Sequence, residues 1–188
     1  MSKQHHYADL KSPLCVLTLA GAIVLWMFTH VLAQGGDEIV YYPIAKIGGD
    51  VPQAANKPSN AIDGNLSTRW SAAWKYDTAP PSLLIDLGES RAFNVVEITW
   101  HEGSTREYYF NIEIFYPTWG FLAIGGGPSE RMEVQSHPLG FVAGSRLIRI
   151  QGFGSDHPRA KTAEWTSISE IRIGYDPLQE DNDGWCVQ

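Results

Sequence analysis

The chain has 188 residues, a formal charge of −7, 44% hydrophobic and 12% aromatic residues, 18 Gly and 11 Pro. That length holds one sizeable domain plus an appendage, and the Gly, Pro and aromatic content favours many short strands over a helical bundle. An acidic balance with no basic stripe excludes nucleic acid as a partner and argues against general attraction to anionic membranes.

The first feature along the chain is the apolar run from Pro13 to Leu32, preceded by Lys3, His5, His6 and Lys11. A basic start, an apolar centre, and Val31 and Ala33 ahead of Gln34 describe a cleaved export signal over residues 1–33. The run is also nearly long enough to cross a bilayer, so an uncleaved anchor is the second reading and the one route to a membrane. Both readings put the domain, 34–178, outside the cytosol, either secreted or displayed at the cell surface. Losing Lys3, Lys11 and Asp9 takes the formal charge from −7 to −8. Cys15 leaves with the signal, so Cys186, in an acidic tail over 179–188, is either a free thiol or the link of a disulfide-bonded dimer.

From Glu38 onward, β-branched and aromatic runs alternate with Gly, Pro, Asn and Asp, which reads as all-β. The pattern predicts strands over Ile39–Ile47, Ser82–Leu87, Phe93–Trp100, Tyr108–Tyr116, Gly120–Ile124, Glu130–Gln135, Arg146–Gln151 and Ser167–Tyr175, enough for a sandwich. In Phe93–Trp100 the set Val96, Ile98 and Trp100 alternates with Val95, Glu97 and Thr99, which predicts one wet face. Trp70 and Trp100 read as core residues. Gly125 to Gly127 lacks the Lys-Ser/Thr ending of a phosphate loop and reads as a turn between strands.

The most specific stretch is Asn60-Ala-Ile-Asp63-Gly-Asn65-Leu-Ser-Thr68-Arg-Trp70, where oxygen-bearing residues surround a glycine. Calcium takes six to eight oxygens, and a tight loop offers Asp63, Thr68 and inward-turned carbonyls. The spacing is not that of an EF-hand, so a remote carboxylate must complete the shell, and Glu170 is the candidate. The alternative is a plain surface turn. Asn65-Leu66-Ser67 is also a glycosylation sequon, though a residue folded into a metal loop is a poor acceptor.

With PSNAIDGNLSTRW, LLIDLGES, VVEITWHEG, YFNIEIF, SRLIRIQGFG and SISEIRI in this order, residues 38–175 resemble the discoidin, or coagulation factor five/eight C-type, domains and the family 32 carbohydrate-binding modules. The resemblance implies a galactose-binding-like jelly-roll sandwich of about eight strands. It also implies a structural calcium held by Asp63, Thr68 and Glu170 side chains and by backbone oxygens near Asn60, Asn65 and Ser169. Modules of this kind found with alginate lyases carry a basic pair where this chain reads WHEGSTR, so His101 and Arg106 inherit a ligand-binding expectation.

Sugar sites set an aromatic platform beside a few fixed polar groups on end loops. Four segments supply them here: Trp74 with Tyr76, His101-Glu102 with Arg106, Phe153 with His157, and Trp165. Arg106 suits a uronate carboxylate, His101 a ring hydroxyl, and Trp74 the sugar's apolar face. Other roles compete: Trp74 and Trp165 suit lid packing, His157 an ordinary loop, and Arg106 an exposed bridge to Glu102 or Glu107. His101, Arg106 and Tyr108 are also the residue types that uronate β-elimination uses, but nothing in the sequence makes them converge and no nucleophile motif is present. Membrane-lipid adhesion through Trp74 and Tyr76 is a third class, lacking a basic loop cluster. The reading is a non-catalytic module for a glycan, uronate- or galactose-type.

Overall fold

The computed structural model describes residues 38–50, 54–75, 78–156 and 164–179; the expected export segment with Cys15, Tyr76, His157 and Cys186 lie outside the described residues. Eight strands follow in chain order: β1 Val40–Tyr41, β2 Lys46–Gly49, β3 Trp70–Ala73, β4 Ser82–Trp100, β5 Tyr108–Tyr116, β6 Gly120–Pro128, β7 Val134–Ser155 and β8 Trp165–Tyr175. Short 3-10 turns cover Ala54–Asn56, Pro58–Ile62 and Pro177–Gln179. Among the described residues no helix is long and apolar enough to cross a membrane.

All ladders are antiparallel, in the order β1-β8-β4-β7-β5-β6, with β2 on β4 and β3 on β8. Two long strands make this single path a jelly-roll sandwich. The first half of β4 pairs β2 and the Leu147–Gln151 stretch of β7, while its second half pairs β8 and Val134–Pro138. Register shifts between Asp86 and Arg91 and between Phe93 and Val95 mark where β4 passes from one layer to the other, with Gly88 supplying a φ of +84°.

The core forms between the layers from Leu83, Ile85, Phe110, Ile112, Ile114, Ile148 and Ile150 on one side and Trp70, Val96, Ile98, Trp100, Ile168 and Ile173 on the other. Trp70 and Trp100 are core residues, as their setting predicts. The hydrophobic effect acts through this interface at about 25 cal/mol per Å² of apolar surface.

Several predicted boundaries are corrected. Ile39–Ile47 is two strands, because Pro43 has no N–H for a ladder and the chain changes partner there: Tyr42 N–H donates to Ile173 on β8, Ala45 N–H to Asp86 on β4. Ser82–Leu87 and Phe93–Trp100 are one strand, as are Gly120–Ile124 and the glycines after it. Gly125–Gly127 is therefore not a turn: it pairs with Ile112, Asn111 and Phe110, and a Cβ on Gly126, whose φ is +137°, would collide with the Phe110 carbonyl. β7 starts at Val134, not Glu130, and absorbs the predicted Arg146–Gln151 strand. The expected wet face of Phe93–Trp100 is largely covered, since Val95 and Thr99 are buried and only Glu97 is half-buried.

Candidate functional site

At the end of the sandwich where β4 stops and β5, β3 and β8 begin, a cleft of about 250 Å³ is lined by Asn56, Arg69, Ser71, His101, Glu102, Arg106, Trp165 and Ser167. Four of the predicted ligand residues thus meet here. The turn that carries three of them is tightly tied: His101 N–H donates to Ser167, Gly103 N–H to Trp100, and Thr105 and Arg106 N–H both to the Glu102 carbonyl. Glu102 takes a φ of +55°, and Gly103 has no space for a side chain, since a Cβ would press on the Met132 carbonyl and come 2.8 Å from Trp100 Cβ. Beneath the turn, the fully buried Tyr108 donates its O–H to the His101 carbonyl at 2.6 Å and stacks on Trp100 at 4.8 Å.

Arg106 pairs with Glu102 at 2.5 Å, but its side chain is only 13% exposed, so the predicted exposed bridge is instead a wall of the cleft. His101 Nε2 lies 3.7 Å from the other Glu102 oxygen. Burial, joined by the charge of Arg69, holds His101 below its usual pKa against the pull of Glu102, so the imidazole is uncharged at neutral pH. Burial raises the Tyr108 phenol. The Nε atoms of both Arg69 and Arg106 are buried without an acceptor. On the floor Ser71 and Ser167 share a 2.7 Å hydrogen bond.

Of the other predicted ligand residues, the described ones, Trp74 and Phe153, do not line the cleft. Trp74 follows the Ala73–Trp165 register pair, donates its backbone N–H to Glu164 and its indole to the Thr78 carbonyl, and meets Phe153 edge-on at 5.7 Å. The aromatic wall of the cleft is Trp165. Arg69, Asn56, Ser71 and Ser167 went unread in the sequence. The available signal for Arg69 was its position between an oxygen-rich loop and a core tryptophan.

The oxygen-rich loop lies just before Arg69. Thr68 Oγ1 stands 2.8 to 2.9 Å from both Asp63 carboxylate oxygens and 2.8 Å from the Asn65 carbonyl, so one hydroxyl proton is shared among three acceptors. Glu170 accepts Gly64 N–H at 3.0 Å, and burial, with Asp63 nearby, raises its carboxyl pKa. Ser169 is the residue skipped where the β4–β8 register shifts, and it is buried. The Asn60 side chain is spent on the Ala55 and Arg69 carbonyls. Among the described residues no three His, Cys, Asp or Glu cluster as a metal nest. Two carboxylates, a hydroxyl and a carbonyl with too few protons nevertheless form an all-oxygen donor set of the kind a hard cation takes.

A jelly roll with an end-loop cleft of this makeup defines a galactose-binding-like domain, and a family model described as "NedA-like, galactose-binding domain" matches residues 60–120. The CBM32 of AlyQ in complex with 4,5-unsaturated mannuronic acid is 30% identical with a TM-score of 0.62, over 71% of this chain and 97% of that one. The chain belongs to the family 32 carbohydrate-binding modules. A truncated AlyQ with CBM32 and alginate lyase domains matches at 30% identity and a TM-score of 0.62 over 73% of this chain, which spans only 34% of that protein. The family 32 module of C. perfringens NanJ in complex with galactose, at 20% identity and a TM-score of 0.58 over 73% of this chain and 99% of that one, shares the fold. No curated protein matches.

Proposed function

We propose that this protein is an exported, non-catalytic module that binds an acidic glycan of the uronate type in the Arg69–His101–Arg106–Trp165 cleft, with a structural calcium in the Asp63 loop. One observation carries the reading: two guanidinium groups line one cleft with buried, unpartnered Nε–H donors, beside an aromatic wall and a serine floor. Fixed donors suit a carboxylate, and an indole suits a sugar's C–H face. The AlyQ module, solved with an unsaturated mannuronic acid, adds support. Asp63, Thr68, Asn65 and Glu170 would hold the cation, which would neutralise the crowded carboxylates. Export rests on the apolar run from Pro13 to Leu32.

Binding without catalysis is favoured by Tyr108, whose buried hydroxyl is committed to the His101 carbonyl and so cannot act as the acid of an elimination. Calorimetric titration with oligomannuronate, oligogalacturonate and galactose tests the proposal. Saturable binding of a uronate is the expected result, and no uronate binding at millimolar concentration would sink it.

A further inference from the structure

We infer that Arg69, rather than Arg106, seats the ligand's carboxylate, and that Glu102 takes neighbouring ring hydroxyls, so that the cleft selects a sugar unit bearing a single acid group. This rests on the sugar-binding reading above and assigns the parts within it.

The two arginines differ in what already meets them. Arg106 holds Glu102 at 2.5 Å, so its charge is answered inside the protein. Arg69 lines the same cleft with no carboxylate partner among the described residues, so its charge is unanswered there. A guanidinium at a cleft wall with no carboxylate of the protein to answer it favours one from the ligand, which makes a charge-assisted bond. The Arg69 backbone is fixed in advance: its carbonyl accepts Asn60 Nδ2 at 3.0 Å, and the next residue, Trp70, is in register with Ile168. Little ordering cost then falls on binding.

Glu102 limits what else can enter. Ionised, it offers only acceptors, so it accepts from hydroxyls and repels anions. Its backbone is held at φ +55° by the turn, which keeps the carboxylate at the cleft wall beside Arg106. With His101 uncharged, two guanidinium charges against one carboxylate leave a single positive charge. That charge matches one acid group. A second anionic group, such as a sulfate on the same ring, would meet Glu102.

The test is titration of wild type, R69Q, R69K and E102Q with a mannuronate trimer, its methyl ester and a sulfated mannuronate trimer, with thermal melts confirming folding. R69Q should lose tenfold or more in affinity for the acid while its ester affinity stays within twofold, R69K should recover part of the acid preference, and E102Q should admit the sulfated sugar at least threefold better. Equal losses for acid and ester in R69Q, or no loss of acid, would overturn the assignment, as would E102Q that still excludes the sulfated sugar. Wild type that binds neither acid nor ester would overturn the sugar reading with it. Wild-type binding with R69Q indifferent overturns the carboxylate seat alone.

Discussion

Tyr108→Phe separates binding from catalysis at this site. The substitution removes one oxygen and keeps the ring, which is fully buried and stacked on Trp100 at 4.8 Å with an interplanar angle of 13°, so packing is preserved. What is lost is the 2.6 Å hydrogen bond to the His101 carbonyl. Leaving a buried acceptor short of its donor costs about 1–3 kcal/mol. For a domain of this size about 2 kcal/mol corresponds to a fall of roughly 4–8 °C in Tm. The His101–Arg106 turn starts at that carbonyl, so uronate affinity should fall severalfold while binding survives. Calorimetry and a thermal melt read both effects. An unchanged melt would refute the hydrogen-bond account. Release of unsaturated ends by the wild type, followed in the ultraviolet and abolished in Tyr108→Phe, would refute the non-catalytic reading.

Chelation should lower Tm, by about 2.7 kcal/mol of lost stabilisation where calcium is present at a hundred times its Kd, and Asp63→Ala should melt like the chelated protein; an unchanged melt speaks against the metal. Chelation should also weaken the acid more than its methyl ester in the same titration. Gly126→Ala should cost about 3 kcal/mol or more, since φ is +137° and the Cβ meets backbone of Phe110 and Asn111, whereas Gly127→Ala, at φ +121° in open space, should cost less; paired melts decide. His137 is held down to about 4 by burial, and its Nε2 is buried without a partner. The unfolded chain therefore takes up a proton between pH 6.5 and 4 while the folded protein does not, so stability falls across that window as pH drops, by about 3 kcal/mol at most, and His137→Gln should flatten the slope of Tm against pH.

Legibility in the sequence followed the range of the interactions. In β5, Tyr108, Phe110, Ile112 and Ile114 alternate and are buried, so a local period gave the strand its bounds. β3 has four residues and exists through its register with β8, which no window within residues 70–73 contains. The glycines of β6 looked like a turn because nothing nearby reveals that Gly126 must lie against Phe110. The site divides the same way. His101, Glu102 and Arg106 share one turn and read as a group, while Arg69 joins them only because the β3–β8 pairing brings residue 69 to the end where β4 terminates. Trp74, one residue past that pairing, packs on Phe153 instead, and Trp165 forms the wall.

The loop and the cleft are joined through the chain and through hydrogen bonds. Asp63 to Thr68 runs directly into Arg69, and three acceptors crowd the Thr68 hydroxyl immediately before it. Asn60, on the 3-10 turn that opens the loop, fixes the Arg69 carbonyl, and Glu170, on the strand that carries Ser167 and Trp165, ties Gly64. A cation among these oxygens would tighten the loop from both ends and so set the guanidinium that faces the ligand's acid group. Without it, burial and the nearby Asp63 charge hold the Glu170 carboxyl above its usual pKa, and any slackening of the loop would act on the next residue, Arg69. The ester makes no charged contact there. A difference between acid and ester on chelation thus reports coupling through Arg69, whereas an equal loss of both would report general loosening of the sandwich.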